Sequence, residues 1–197
     1  YILDLIRSLD VPAPRYFGIF HTQFGDCIVL EKIKGTDFAA YMKQNNYHLE
    51  NFIDIIKSLA QNFRKLHSIR FPSFGNLMNR GTISPPGFIN FIDRYQEVND
   101  MILNLCKQKK CFNQSEFIKL SDFIQNKFTV LRAALDIQCR PATLVITDMH
   151  GGNFHVFHNS VSGFFDVESS QSAPLEFELY CMRLFIFNFF GAKEFAL

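Results

Sequence analysis

Four residues separate Asp148 from Asn153, and Asp166 follows Asn153 after two short aromatic and β-branched runs. Those runs, Phe154-His155-Val156-Phe157-His158 and Ser162-Gly163-Phe164-Phe165, surround Asn159-Ser160-Val161, a pattern that predicts a β-hairpin. With the turn centred near Ser160, Asn153 opens one strand and Asp166 closes its neighbour. Antiparallel pairing then sets them side by side, roughly 5 Å apart at Cα. Asp148 lies in the loop before the hairpin, where Gly151-Gly152 is expected to let the backbone curl tightly. The apolar run Thr143-Leu144-Val145-Ile146 predicts a strand leading into that loop. Asp, Asn and Gly are also ordinary loop residues, so the Asp-to-Asn spacing alone says little. The hairpin, the approach strand and the second Asp give it meaning: three oxygen-bearing side chains at one point.

Such a gathering suits phosphoryl transfer. One carboxylate takes an alcohol proton, and two oxygen ligands hold Mg²⁺ against nucleotide phosphates.

The stretch Val145-Ile146-Thr147-Asp148-Met149-His150-Gly151-Gly152-Asn153, followed by Gly163-Phe164-Phe165-Asp166-Val167-Glu168, resembles the catalytic region of the aminoglycoside phosphotransferase and choline kinase superfamily. These are relatives of protein kinases that phosphorylate small molecules. Weaker similarities follow in the same order along the chain. Asp10-Val11-Pro12-Ala13-Pro14-Arg15 resembles the link between the regulatory helix and the fourth small-lobe strand. Cys27 to Gly35 resembles the strand entering the interlobe hinge. Leu59 to His67, with Phe74-Gly75 after it, resembles the first long helix of the large lobe. Pro174 to Leu179 resembles the segment whose acid braces the catalytic loop, and either Glu176 or Glu178 can be aligned with that acid.

The resemblance implies an ATP-dependent phosphotransferase moving the γ-phosphate to a hydroxyl of a small molecule. Asp148 would be the catalytic base, and Asn153 and Asp166 the Mg²⁺ ligands. Backbone groups of Glu31, Lys32 and Ile33 would hold the base of ATP or another NTP. Two departures bear on that expectation. Ile146 stands where the family usually has His, two residues before the catalytic Asp. The chain also opens on Tyr1 and runs directly into the apolar pattern Ile2, Leu3, Leu5, Ile6, Leu9. No glycine-rich hairpin, lysine-bearing strand or Walker pattern is found in the 197 residues. We therefore expect a piece lacking roughly 40 to 60 residues of small lobe, inactive as it stands. The alternative reading is a catalytically inactive pseudokinase that binds nucleotide or ligand. A third is a helical interaction domain that merely keeps the fold.

Composition narrows the partners. With 48% hydrophobic residues, 20% charged and a formal charge of +1, the chain is neither disordered nor marked by a nucleic-acid footprint. Lys107-Gln108-Lys109-Lys110 is the one dense basic cluster and reads as a helix C-terminus in solvent. Five scattered cysteines (Cys27, Cys106, Cys111, Cys139, Cys181) with no Cys-x-x-Cys imply reduced thiols and a cytoplasmic protein. No apolar run reaches the ~20 residues of a membrane span. The expected partner is a small-molecule hydroxyl acceptor, without nucleic acid or membrane, in an unknown oligomeric state. Asp93, Glu97, Asp100 and Glu116 could line an acidic acceptor pocket, or they are solvated helix faces.

Helical periodicity dominates after Gly35. Phe52, Ile56, Leu59, Phe63 and Leu66 predict one amphipathic helix. Pro85-Pro86 predicts the start of another, with Phe88, Phe91, Tyr95, Val98, Ile102 and Leu105 on one face. Asn113 and Glu116 resemble a capping box ahead of Phe117, Leu120, Ile124, Phe128, Leu131 and Leu135. Leu175 to Phe190 reads as a last, buried helix. His155 and His158 are expected on opposite strand faces, unable to share an ion. His67 reads as a core or capping histidine, and Glu168 as either a structural carboxylate or a contact to metal-bound water. The expected fold class is α+β, protein-kinase-like. Residues 1–33 form a partial small β lobe and hinge strand, and residues 34–197 a mainly helical lobe with a catalytic hairpin.

Overall fold

The computed structural model describes residues 2–46, 48–78, 82–84, 87–134 and 140–190. Pro85-Pro86, Leu135 and Cys139 lie outside the described residues. The chain begins with α1 (Ile2–Ser8), then the hairpin β1 (Tyr16–Thr22) and β2 (Gly25–Leu30). A short β3 (Thr36–Asp37) leads into α2 (Phe38–Gln44), and a 3₁₀ turn (Leu49–Phe52) into α3 (Ile53–Leu66). After β4 (Arg70–Phe71) and β5 (Gly75–Asn76) come the long helices α4 (Phe91–Gln108) and α5 (Gln114–Ala134). Then follow β6 (Ala142–Ile146), β7 (Phe154–Phe157), β8 (Ser160–Phe164), a 3₁₀ turn (Val167–Ser169), β9 (Ser170–Ala173) and α6 (Leu175–Phe190). This is an α+β chain, as its residue patterns predict.

Among the described residues three antiparallel sheets result, in the orders β1-β2, β3-β7-β8 and β4-β6-β9-β5. The predicted approach strand and hairpin thus belong to different sheets. β6 is buried along its whole length, and its partner β9 is the polar run Ser170-Gln171-Ser172-Ala173, which carries no apolar alternation. β3, β4 and β5 have two residues each. Strand pairing too short or too polar to show a period cannot be read from sequence.

One core joins α1, the link Val11–Ala13, α3, β6 and the β7-β8 hairpin. Ile6, Leu66, Leu144, Ile146 and Phe164 are sealed within it, and Met149 plugs the loop after β6 against it. A satellite core packs Phe91 and Tyr95 of α4 on Phe74 and Phe177.

The helix stripes need three corrections. In α3 the buried residue is Ile55, while Ile56 is 45% exposed. The preceding 3₁₀ turn resets the phase at which the helix enters. α4 starts from Asn90, whose side chain accepts the Ile92 N–H at 2.8 Å. Phe88 lies outside that helix, bridged to Phe74. The helix buries Ile92 and Leu103, leaving Ile102 and Leu105 in solvent. α6 is buried on one face at its start, where Glu178 is fully enclosed while Leu179 and Tyr180 are exposed. The Asn113–Glu116 capping box is present in both directions at 3.0 Å. The stripe behind it runs half-buried through Phe117, Leu120 and Ile124 to buried Phe128. Among the described residues no helix is long and apolar enough to cross a membrane.

Candidate active site

The hairpin turns at His158-Asn159, both left-handed with φ of 50° and 57°, not around Ser160. Pairing begins at Phe157↔Ser160 and Val156↔Val161, then slips past Ser162 to His155↔Gly163 and Phe154↔Phe164. The bulge returns most of the register that the early turn removes. Asn153 therefore faces Phe165, whose N–H it accepts at 2.8 Å, and Asp166 is the next residue on. His158 sits in the turn, stacked on Phe157. His155 stays on the strand against Phe165, ring centroids 4.5 Å apart, with its Nδ1 buried and unpartnered.

Asp166 itself is left-handed, with φ 53° and ψ 45°. A non-glycine residue there carries backbone strain that its surroundings must hold. Two residues on, the Glu168 carboxyl is pushed above the usual carboxylate range. The chief cause is its hydrogen bond to Asp166. Partial burial and the negative charges of Asp166 and Asp148 add to it, against the opposing pull of its own backbone N–H. Glu168 thus shares hydrogen-bond or electrostatic contact with two further carboxylates, Asp166 and Asp148.

The loop carrying Asp148 is held from several sides. Asn153 donates Nδ2–H to the Asp148 carbonyl at 2.7 Å, a bond that uses the amide nitrogen and not the oxygen. The Asp148 N–H reaches Ser169 Oγ at 3.2 Å, and Thr147 Oγ1 donates to the Ser169 carbonyl at 2.9 Å. The expected curl is present: Gly151 and Gly152 are the central residues of a turn closed by Asn153 N–H to the His150 carbonyl at 2.9 Å, although neither takes a positive φ. Gly152 also leaves room for a neighbouring ring. A Cβ there would meet the His150 ring at 3.1 Å, and the Gly152 N–H donates to His150 Nδ1. The Gly151 carbonyl receives Ala39 N–H from α2.

Beneath the loop, Glu178 accepts the Ile146 N–H through Oε1 at 2.6 Å and meets His67 Nε2 through Oε2 at 2.5 Å. This resolves the two aligned acids: Glu176 is at the surface, paired with Arg140 at 2.8 Å. His67 is the C-cap residue of α3, as expected, and its ring is also the partner of a buried acid. Ser169 was not singled out from sequence, and a lone Ser in a polar run offers no signal.

A cavity of about 640 Å³ opens beside Asp166 and Glu168. Ile2, Leu3 and Asp4 of α1 form one wall, and Ile19, Ile28 and Leu30 of the β1-β2 hairpin another. The hinge residues do not line it. Glu31 is drawn to Arg7 and Arg15 and, with Ile33, borders a separate hollow of about 350 Å³. Ile33 also lies on Gly163, where a Cβ would come within 2.8 Å. Lys32 is exposed.

The residues present suit a hard cation: a carboxylate at Asp166, a second at Glu168 and the amide oxygen of Asn153 form an all-oxygen set. Among the described residues no three His, Cys, Asp or Glu side chains converge on a common ion position, so an ion here draws on the amide and water as well. The acids weighed for an acceptor pocket are all engaged. Asp93 pairs with Arg132 at 2.5 Å, Glu97 with Arg94 at 3.3 Å, Asp100 accepts from Gln125, and Glu116 caps α5.

The fold is similar to that of aminoglycoside phosphotransferases of known structure. The ternary complex of a thermostable APH(4)-Ia mutant with AMP-PNP and hygromycin B superposes with a TM-score of 0.61 at 10% identity. That match covers 84% of this chain and 53% of the other. ADP-bound APH(2'')-Ib gives 0.60 at 14% identity over 91% of this chain and 57% of the other. The apo form of the thermostable APH(4)-Ia mutant gives 0.59 at 13% identity, covering 94% and 63%. This chain therefore spans between half and two thirds of the enzymes it resembles. No family model matches the sequence, and no curated protein is similar to it at a significant level.

Proposed function

We propose that this chain is the catalytic portion of a cytoplasmic small-molecule kinase, transferring the γ-phosphate of ATP or another NTP to an alcohol. The observation that carries the reading is that Glu168 hydrogen-bonds Asp166 and feels the negative charge of both Asp166 and Asp148, with Asn153 held to the Asp148 carbonyl through its amide nitrogen rather than its oxygen. Acids gathered in this way are a stable arrangement when a cation neutralises them. Asn153 and Asp166 would hold Mg²⁺, with Glu168 close enough to reach its water shell. Bound there, the ion neutralises charge on the phosphates.

Asp148 orients the acceptor hydroxyl and takes its proton as the bond to phosphorus forms. A carboxylate of ordinary basicity suffices, because the proton moves late and positioning supplies most of the rate. Ser169 and Asn153 position Asp148 by gripping its backbone N–H and carbonyl. Backbone groups of Glu31, Lys32 and Ile33 would receive the nucleobase. Residues 1–33 would be part of a small lobe and residues 34–197 the lobe that carries the chemistry. The acceptor class stays open among hydroxyl compounds, and the engaged acids of α4 give no support to a polycation in particular.

A second reading, a nucleotide-binding pseudokinase, is favoured by Ile146, fully buried where the family usually has His. Full-length protein assayed for Mg²⁺-dependent phosphate release and transfer separates the two. The kinase reading expects turnover that falls by about 10²–10⁴-fold in Asp148→Asn with Mg²⁺–nucleotide affinity retained. Affinity without turnover in the unmodified protein would establish the binder, and near-normal turnover in the variant would remove Asp148 from the role.

A further inference from the structure

Helix α4 ends in a closed turn that brings two cysteines together. Lys109 N–H bonds to the Leu105 carbonyl at 2.9 Å and Lys110 N–H to Lys107 at 3.2 Å. Cys111 N–H reaches back to the Cys106 carbonyl at 3.0 Å, with Lys110 left-handed at φ 52°. This is a Schellman closure, in which the two residues joined by the long bond place their side chains in contact, usually as an apolar pair. Here the pair is Cys106 and Cys111. A direct backbone hydrogen bond between two residues holds their Cα atoms in the roughly 4–7 Å window that a disulfide spans without backbone movement.

The thiols are unlike. Cys111 is exposed and Cys106 half-buried. Partial burial pushes the Cys106 thiol up, and the charge and hydrogen bond of Cys111 push it further, which also places the two sulfurs within interaction range. The other described cysteines sit on separate elements, Cys27 in β2 and Cys181 in α6.

We propose that Cys106 and Cys111 form a hydroperoxide-responsive dithiol that closes into an intramolecular disulfide, stapling the last turn of α4 to the start of its connection with α5. The exposed Cys111 thiolate attacks one peroxide oxygen. The O–O bond breaks, the departing oxygen leaves as hydroxide and takes up the proton released when the Cys111 thiol ionised, giving water, and Cys111 becomes a sulfenic acid. The Cys106 sulfur then attacks the Cys111 sulfur. The S–O bond breaks and hydroxide departs with the Cys106 proton as a second water. Two thiols are oxidised and one hydrogen peroxide is reduced to two waters (an organic hydroperoxide would give its alcohol and one water), so no further reagent is needed. The site shares no residue with the phosphotransfer machinery and stands whether or not that reading holds.

The test treats the full chain with hydrogen peroxide, blocks remaining thiols with iodoacetamide, and digests with trypsin. Lys107, Lys109 and Lys110 lie between the cysteines, so cleavage there leaves two peptides held together only by the new bond. The expected result is a linked pair lighter by two hydrogen atoms, separated by reductant. In Cys106→Ser the oxidation should stop at a sulfenic acid on Cys111 that dimedone captures. In Cys111→Ser, Cys106 should stay alkylatable at the same peroxide dose. Stable sulfenic or sulfinic acid on Cys111 in the unmodified protein, with Cys106 still alkylated, would overturn the proposal. So would linkage of Cys111 to Cys27, Cys139, Cys181 or a second copy of the chain.

Discussion

The carboxylate of Glu178, enclosed in the core, accepts the backbone N–H of Ile146 at 2.6 Å. Ile146 is the last residue of β6, two before Asp148, so a residue of α6 fixes where the Asp148 loop leaves its strand. The second oxygen of Glu178 engages His67 at the end of α3. One buried side chain thus ties three elements to the loop.

Glu178→Ala leaves a buried N–H and a half-buried imidazole without their partner. We expect a loss of about 3–5 kcal/mol in urea unfolding. Glu178→Gln, which keeps the acceptor for Ile146, should lose clearly less. Equal losses would mean that the bond to Ile146 contributes little.

Gly35 follows the hinge with φ +102°, and a Cβ there would stand 2.1 Å from the Val156 carbonyl oxygen. Gly25 has a similar φ of +115° but open space around it. Gly25→Ala should cost about 1 kcal/mol from backbone strain alone, and Gly35→Ala at least about 2 kcal/mol more, because strand β7 must move. The difference in denaturation midpoints, at unchanged slope, measures the steric part.

Asp166→Gly separates fold from function. Glycine accepts the left-handed conformation without strain, and the crowding with Glu168 disappears. Stability should hold or rise by up to about 1 kcal/mol. Mg²⁺–nucleotide binding, followed by calorimetry on the full-length protein, should be lost. Retained binding would remove Asp166 from the metal set.

Burial, reinforced by the charges of Glu178 and Asp148, pushes the Cys181 thiol up to about 11. At pH 8 its thiolate fraction, and hence its alkylation rate, should be roughly 100-fold below that of an unperturbed cysteine. The folded value lies above the unfolded one, so the neutral thiol is favoured by the fold. The corresponding stability is fully present below the unfolded pKa of ~8.5 and is lost as pH rises through about 11. Mass-spectrometric alkylation of Cys181 across that range checks it. Rapid reaction at pH 8 would contradict the enclosure of α6 at this point.

Legibility differed from residue to residue. The hairpin was readable because aromatic and β-branched runs bracketed a turn, yet its centre was placed late. Asn159 tolerates a left-handed backbone as well as Ser160 suits a loop, and the bulge at Ser162 leaves no mark on the alternation. The capping box of Asn113 and Glu116 was readable because both partners lie within one turn.

Local spacing along the chain decided which oxygen-bearing side chains flank the hairpin, where α5 starts, and that helices fill its middle. These depend on backbone period and on contacts within a few residues, which sequence order carries directly. Only the tertiary structure chose Glu178 over Glu176, Ile55 over Ile56, and Ser169 as the grip on Asp148. Each of those choices depends on which face of an element meets a partner far along the chain, and a helix's own periodicity cannot say where its neighbour will stand.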